Sequence, residues 1–478
     1  MKRLPAGFLR PAILALAPLA AGVGDASAHA SDRGFVLLLP TGHYIAGGAL
    51  AVAASFAVLL LLRPGALCGF AAARSRVLAT IGDGRTATSL LAFACLAMLV
   101  TAGFIGSRDP LSNPLPLVVW TLFWIGLTLI CGLFGNAFAW VNPWLGPCRM
   151  VRRLLPERHG GGDPHPVLDR LGYLPAIVQL LAFAWFELVY PAPDDPARLA
   201  WAVSGYWLLN FAAMLAFGCE RWMRTGECFS VFFRLVSRLG TVVADRSAGR
   251  FRLSICLPGG KLRDVSPLPL GGVAFLLLAL ATVSFDGLMR TFAWLGTIGV
   301  NPLEFPGRSA VMMENSAGLV AVAAALTALF LAAVWLGERM TRTPVPWRDA
   351  AGLLVWSIVP IALAYHFSHY LIALLVNGQY ALVALSDPFS RGWNLFGTAD
   401  NYVSAGLVMG MQSAWVLWNM QAAAIVGGHV FAVLIAHGLA GRLHPDPRDA
   451  FVSQIPLALL MVGYTVFGLW LLSAATGA

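Results

Sequence analysis

Runs of about 20 apolar residues recur along this chain, separated by more polar segments. A helix of that length spans the ~30 Å hydrocarbon core of a bilayer. Backbone groups in lipid must find their partners internally, and unbroken runs of this length do so as helices. The sequence therefore predicts an all-α, polytopic transmembrane helix bundle of about ten spans, near 43–62, 88–106, 115–134, 171–190, 199–217, 268–285, 317–336, 351–376, 410–436 and 452–473.

The distribution of charge favours the same class and suggests an orientation. Charged residues make up 12% of the chain, against about 25% in an ordinary soluble domain. Arginines collect in alternate loops, at 63–87, 140–170, 218–267, 337–349 and 438–450, and the loops between these are neutral or acidic on balance. Arg-rich loops stay in the cytoplasm. We therefore expect a bacterial inner-membrane protein with a periplasmic mature N-terminus, and the net charge of +9 needs no nucleic acid to explain it.

The N-terminal residues 1–28 have the pattern of a cleavable signal peptide, with Lys2, Arg3 and Arg10 ahead of a short apolar core and a small-residue site ending at Ala28. Cleavage there leaves His29 as the first residue, whose α-amine and imidazole form a two-nitrogen chelate suited to copper. Cleavage a residue or two away, or an uncleaved anchor, removes that chelate.

The remainder divides into a first five-helix half at 29–217, a cytoplasmic loop at 218–267, and a second five-helix half at 268–478 that holds the paired histidines of the apolar spans. Within the loop, Phe232, Leu235 and Leu239 fall on one helical face, which predicts a helix lying in the headgroup region. The segment 251–263 alternates and then reaches Pro258-Gly259-Gly260, as a hairpin would. The seven cysteines contain no CxxC pair, and most fall in or near the predicted cytoplasmic loops, so free thiols are expected.

Two histidines, His366 and His369, lie three residues apart within the apolar segment IALAYHFSHYLIALLV. Ionisable side chains at membrane depth are costly and usually mark a site. The spacing places both rings on one helix face. His43 and His29 are predicted on the same outer side, as is Glu187, an acid inside an apolar span. This set, joined by His429, predicts a divalent metal site with zinc or copper as the ion. A pair of core histidines bonded to neighbouring carbonyls or tyrosines is the alternative.

His429 and His437 form a second pair, eight residues apart on the ninth span and facing the same way. A column of histidines across the bilayer would suit haem or a metal path, whereas a single outer site would suit catalysis. The polar loop at 377–405 follows the His366/His369 helix and is predicted to cover the outer site, with Asp387 as a candidate base beside Glu187. His159, His165 and His444 fall in polar loops and are expected to be solvated.

Several segments resemble a group of polytopic bacterial membrane proteins named fenitrothion hydrolase. The segments are the mature start HA, the NPW helix exit, HYLIALLVNGQYALVALSDPFSRGWNLFGT and VLWNMQAAAIVGGHVFAVLIAHG. The resemblance runs over most of the chain and is strongest from 366 to 440. It implies hydrolysis of apolar organophosphorus triesters with release of a nitrophenol, and it implies roles for His29, His369, His429 and His437. At WNMQ the chain departs from relatives that carry a tyrosine.

Two functions stay open at this point. One is a metal-dependent hydrolase in the membrane, with Glu187 or Asp387 as base and metal-bound water as nucleophile. The other is a protein that transports or holds copper, iron or haem through its histidine column. A dependence on a partner subunit is compatible with both.

Overall fold

The computed structural model describes residues 41–59, 76–154, 166–247, 249–404, 406 and 410–476. The predicted signal peptide and His29 lie outside these residues. Within them, nine helices are long and apolar enough to cross a membrane, as the hydropathy of the sequence predicted. The tenth predicted span is also helical, over Leu174–Leu188, but at 15 residues it is shorter than the other nine.

The first half of the chain, up to Phe217, is mainly helical. Its elements are α1 (Thr41–Leu59), β1 (Arg76–Gly82), α2 (Arg85–Ile105), α3 (Pro114–Phe134), α4 (Phe138–Val141), α5 (Leu145–Leu154), α6 (Pro166–Leu171), α7 (Leu174–Leu188) and α8 (Pro196–Phe217). Helix starts follow local chemistry: Asn113 and Asp195 each cap a backbone N–H, and each precedes a proline at the first helical position.

The rest of the chain continues the bundle and adds two strands. Its elements are α9 (Cys219–Thr225), α10 (Cys228–Val236), β2 (Val242–Ser247), β3 (Arg250–Ile255), α11 (Leu270–Met289), α12 (Phe292–Thr297), α13 (Met312–Met340), α14 (Trp347–Leu354), α15 (Ile358–Ser386), α16 (Met411–Leu443), α17 (Pro447–Val452) and α18 (Ile455–Ser473). The two predicted halves pack together, because α3 lies against α15 and α1 lies against α16 and α18.

The centre of the bundle is formed by α11 and by the helical run Trp347–Ser386. Of their apolar windows, 83% and 89% are buried inside the protein, against 17% for α1. Continuous apolar sequence without a polar stripe is what a helix surrounded by other helices requires. Side chains on these two elements therefore face protein rather than lipid.

A three-stranded antiparallel sheet marks one end of the bundle, in the strand order β1-β3-β2. The sequence predicted a hairpin here but placed its turn wrongly at Pro258-Gly259-Gly260. The strands β2 and β3 meet instead through Gly249, which has a φ of 75°, and β1 pairs with β3 from far along the chain. That long-range pairing has no local signal in the sequence.

Ion pairs attach the sheet to the helix ends beside it, and we call this the sheet end. Asp83 pairs with Arg85 at 2.9 Å, and Arg149 reaches Glu220 at 3.0 Å. The hydrogen bond from Arg85 lowers the pKa of Asp83 to about 2. The opposite end carries the loops after α2, α7, α11 and α15, which meet through contacts such as Arg308 with Tyr190 and Gly106 with Pro388.

The helix α10 is a buried element, which corrects the prediction of an interfacial helix. Phe232, Leu235 and Leu239 are buried as predicted for one face, but Phe229 and Phe233 on other faces are buried as well. Its N-cap is Glu227, whose carboxylate accepts from Phe229 N and Ser230 N and from the Tyr206 hydroxyl. Burial raises the pKa of the Glu227 carboxyl. A periodic pattern alone does not distinguish a lipid-facing surface from a protein-facing one.

Two further predictions about the sheet end are wrong. Cys148 and Cys219 form a disulfide between α5 and α9 rather than remaining free thiols, since the fold brings together residues 71 apart in sequence. His444 is buried rather than solvated, with its Nε2 at 3.1 Å from Glu338 Oε1. Glu338 lies at the end of α13, so the partner of His444 comes from a distant segment.

Close backbone approach at Gly337 gives a test of this packing. A Cβ added there would lie 1.9 Å from the backbone oxygen of Ser453, which a side-chain rotation cannot relieve. We expect Gly337→Ala to lower the free energy of unfolding by about 1–3 kcal/mol, measured by thermal or denaturant unfolding in detergent. Gly463→Ala is the matched control, because a Cβ there meets nothing within 4 Å. Equal stability of the two variants would contradict the packing of α13 against the α17–α18 junction.

Candidate functional site

His369 on α15 and Asp286 on α11 form the centre of a polar cluster inside the apolar bundle. The His369 Nε2 lies 2.7 Å from Asp286 Oδ2. Asp286 is almost fully buried, with 2% of its side chain exposed, whereas His369 keeps 27% exposure. A carboxylate bonded to one ring nitrogen fixes the tautomer and orients the other nitrogen. With Nε2–H donating to Asp286, His369 presents the Nδ1 lone pair.

Two further groups fix the Asp286 carboxylate. Arg290, one turn later on the same chain segment, places Nη2 at 2.9 Å from Asp286 Oδ1. The Tyr370 hydroxyl lies 3.1 Å from Asp286 Oδ2. The carboxylate raises the pKa of the Arg290 guanidinium beside it. A buried carboxylate needs such partners to remain charged, so Asp286 is held in place by α11 and α15 together.

Glu187, the predicted base, belongs to the same cluster but is one step removed from His369. The Tyr370 hydroxyl lies 3.2 Å from Glu187 Oε1 and therefore bridges the two carboxylates. Arg308 donates to the backbone oxygens of Glu187 and Tyr190 at 2.9 and 3.3 Å, which fixes the end of α7. Sequence reasoning predicted Glu187 on the correct side of the bundle but did not assign its partner.

His366 is turned away from this cluster. Its ring is buried, and Nε2 lies 3.0 Å from the Trp124 backbone oxygen. That oxygen lies in the π-helical stretch of α3, Leu117–Leu127, whose wider turns free carbonyls from the usual α-helical pattern. The carbonyl also accepts from Thr128. His366 thus uses one nitrogen in a helix–helix contact, which agrees with the alternative of a core histidine.

Asp387 does not share the site, and the described residues of the loop after it, up to 404, contact the end of α15 rather than His369. Asp387 lies 18 residues beyond His369, or ~27 Å along a helix, and its carboxylate accepts from the backbone N–H groups of Arg391 and Gly392. Residues 377–386 of the predicted loop are helical, as the end of α15. The remaining loop folds back onto α15 through bonds to Gln379, Leu382 and Ser386. Asp387 is therefore a turn-forming residue.

His429 forms a separate buried site among α11, α15, α16 and α18. Its Nδ1 lies 2.8 Å from the Ile425 oxygen one turn earlier, so Nδ1 carries the proton and donates it. Its Nε2 has no hydrogen-bond partner among the described residues. The rings of Tyr365 and Tyr464 lie 6.0 and 6.3 Å away, and the Tyr464 hydroxyl pairs with Ser284. Gly428 allows α16 to approach Ala364 and Pro360 closely.

The structure does not bring the predicted metal ligands together. His43 is exposed near the start of α1, and His437 accepts a hydrogen bond from Gln454 near the sheet end. Among the described ranges, no group of three or more His, Cys, Asp and Glu side chains has an arrangement that could hold a metal ion. His29 lies outside them.

Haem does not fit the packing around His429. A Cβ on Gly468 would overlap the Tyr365 hydroxyl, and a Cβ on Gly428 would lie 2.5 Å from Ala364 Cβ. The cavity lined by Tyr464, Leu277 and Phe330 has a volume of about 10 Å³, room for roughly one water.

Sequence reasoning missed Asp286 and Arg290 as the partners of His369. Asp286 was visible at the outer edge of its span, and the Arg290 four residues later is the spacing of a helical ion pair. That i,i+4 pair at the end of an apolar run is the signal that could have identified them. No local pattern indicates Trp124 or the bridge through Tyr370, which depend on contacts between helices.

Comparison with known proteins adds no identification. No family model matches the chain, and neither a curated protein nor a solved structure matches it.

Replacing the buried carboxylate tests the cluster directly. Asp286→Asn leaves Arg290 and His369 without their shared anion, and we expect a loss of about 3 kcal/mol in unfolding free energy. Asp387→Asn is the control, since its amide oxygen still accepts one of the two backbone hydrogen bonds that the carboxylate oxygens accept, and we expect a change of about 1 kcal/mol or less. Thermal unfolding of both variants in the same detergent measures the difference. An Asp286 variant as stable as the control would contradict the buried cluster.

Proposed function

We propose that this chain is a membrane-embedded hydrolase of neutral, apolar esters, in which His369 acts as general base and Asp286 orients it. The observation that carries the proposal is the 2.7 Å contact between a partly exposed imidazole and a buried carboxylate. This arrangement positions a ring nitrogen to remove a proton from water, the task histidine performs most often. In this proposal the general base is His369, and not Glu187 or Asp387 as the sequence suggested.

The reaction follows from the orientation of the ring. His369 Nδ1 takes a proton from water as the water oxygen forms a bond to phosphorus. The bond from phosphorus to the aryl oxygen breaks, and the nitrophenolate leaves with the electron pair. Asp286 stabilises the resulting imidazolium because its carboxylate faces Nε2–H. A nitrophenolate is a stable anion, so its departure needs no acid.

The substrate class is supported by the position of the site and by the resemblance to fenitrothion hydrolases. Neutral organophosphorus triesters partition into a bilayer and reach a helix bundle without charge-based capture. Arg290 and Arg308 are both engaged, by Asp286 and by backbone oxygens. Because Asp286 balances the charge of Arg290, the described residues of the cluster favour a neutral substrate over an anionic one.

We propose that the protein lies in a bacterial inner membrane with its sheet end in the cytoplasm. The sheet end is rich in arginine, for example Arg149, Arg221 and Arg246. The opposite end carries several aspartates: Asp109, Asp194, Asp195 and Asp400. The Cys148–Cys219 disulfide opposes this assignment, because disulfides are rare in the cytosol. The arginine bias extends over five loops, so we give it more weight than the single cysteine pair.

The hydrolase is tested by turnover of a nitrophenyl triester in detergent or liposomes. We expect His369→Ala to lower kcat at least ~100-fold, the usual contribution of a general base. His43→Ala, which removes an exposed histidine, should retain the activity. Turnover that survives His369→Ala, or that stops on chelation and returns with zinc, would exclude the general-base mechanism.

A second candidate function, the holding or transport of a metal ion, is favoured by His429. Metal-binding histidines usually donate their second ring N–H to a carbonyl or carboxylate, and His429 does so through Nδ1 while its Nε2 remains unpartnered. An imidazole lone pair of this kind suits copper, zinc or iron. The described residues supply this one ligand and no complete site.

Metal analysis of purified protein tests this second candidate. We expect a bound copper, zinc or iron content that falls by at least half in His429→Ala and is unchanged in His43→Ala. The two variants remove one histidine each, one buried and one exposed. Absence of bound metal from the wild-type protein after copper, zinc and iron loading would exclude it.

A further inference from the structure

One hydroxyl group joins the buried carboxylate of Asp286 to the partly exposed carboxylate of Glu187. The Tyr370 oxygen lies 3.2 Å from Glu187 Oε1 and 3.1 Å from Asp286 Oδ2. A phenol has a single proton to donate, so it can satisfy one of the two carboxylates at a time. The other carboxylate must then face the phenol oxygen, and two oxygens without a proton between them repel each other.

The surroundings of the two carboxylates differ. Asp286 has Arg290 at 2.9 Å and His369 at 2.7 Å. Among the described residues, Glu187 has no cation within ion-pair distance of its carboxylate, and its side-chain hydrogen bond is to Tyr370. Arg308 approaches Glu187 but donates to the backbone oxygens of Glu187 and Tyr190. The negative charge is therefore better placed on Asp286, and an additional proton on Glu187.

We propose that Glu187 is the proton acceptor of the site, connected to His369 through Asp286 and Tyr370. The chain of contacts has three links, of 2.7, 3.1 and 3.2 Å. It joins a partly exposed imidazole on α15 to a carboxylate at the end of α7. The role of this relay in catalysis rests on the hydrolase proposed above, whereas the relay itself rests on these contacts alone.

One proton moves along the relay in each cycle. His369 Nδ1 takes a proton from water, and the imidazolium that Asp286 stabilises then gives up its Nε2 proton to Asp286 Oδ2, in one concerted shift with the next two transfers. Asp286 passes that proton to the Tyr370 oxygen as the Tyr370 hydroxyl proton moves to Glu187 Oε1. Asp286 is again a carboxylate, Tyr370 is again neutral, and Glu187 is a carboxylic acid. His369 is then neutral with its proton on Nδ1. The starting state returns when Nδ1 releases its proton to solvent and the Glu187 proton passes back through Tyr370 and Asp286 to Nε2.

The charged and titratable groups near Glu187 lie on several of the elements packed against it. Asp286 lies on α11, and Arg290 follows the last residue of that helix. Tyr370 lies on α15, and Arg308 lies in the segment before α13. Asp194, in the loop after α7, lies near Arg308 and Arg290. Variants at Glu187 therefore need a control carboxylate that is buried but distant from these groups, and Glu227 at the sheet end is suitable.

Infrared spectroscopy of the purified chain tests the relay without any substrate. Protonated carboxyl groups give a C=O stretch that shifts in heavy water, and we expect such a band to appear as the pH is lowered from the range of turnover and to be absent from Glu187→Gln. Glu227→Gln should leave this band and its pH titration unchanged. Tyr370→Phe should move its frequency, because the hydrogen bond at Glu187 is lost. A band that persists in Glu187→Gln would overturn the proposal. So would a band that is lost in Asp286→Asn but kept in Glu187→Gln, because it would belong to Asp286.

The pH profile of turnover then separates this proposal from the hydrolase. In Glu187→Gln and Tyr370→Phe, we expect kcat to fall ~10-fold or more and its pH profile to change while KM stays within about twofold. Unchanged profiles with full wild-type turnover would exclude the relay and leave the hydrolase in place. A wild type without turnover but with the Glu187 band would exclude the hydrolase and retain the relay. Glu187→Asp, which keeps a carboxyl, is the variant to use if Glu187→Gln does not fold.

Discussion

The burial of the Asp286 carboxylate is the interaction on which the rest of the candidate site depends. An ionised carboxylate in an apolar bundle is strongly unfavourable unless cations and hydrogen-bond donors surround it. Arg290, His369 and Tyr370 provide them at distances of 2.7–3.1 Å. Arg290 follows the C-terminal end of α11, and His369 and Tyr370 lie on α15. The packing of α11 against α15 therefore determines how the imidazole is oriented.

The same arrangement explains why His366 and His369 have different partners although they are three residues apart. His366 faces α3, where a π-helical stretch leaves the Trp124 carbonyl to accept from it. His369 faces α11 and retains partial exposure. The first is used in packing, whereas the second contacts a buried carboxylate. A shared helix face does not ensure a shared ligand, since neighbouring helices divide that face between them.

The cluster at His369 and the ring at His429 suit different kinds of function. The former contains titratable groups of both signs in hydrogen-bond contact, which suits proton transfer. The latter is a neutral imidazole with one unpartnered nitrogen among close-packed helices, which suits a small ligand such as a metal ion. Helices α11, α15 and α18 pack closely between the site at His369 and the site at His429. This packing gives no support for one continuous histidine column.

The sequence by itself determined the membrane-length helices, their approximate ends and the presence of a polar site in apolar surroundings. Hydropathy depends on composition within a window, and helix caps such as Asn113 and Asp195 act over two or three residues, so both are local. Only the tertiary structure decided which groups meet. The pairing of Asp286 with His369, of His444 with Glu338 and of Cys148 with Cys219 joins residues between 71 and 106 positions apart. Such pairings depend on how helices pack, and no local pattern encodes that packing.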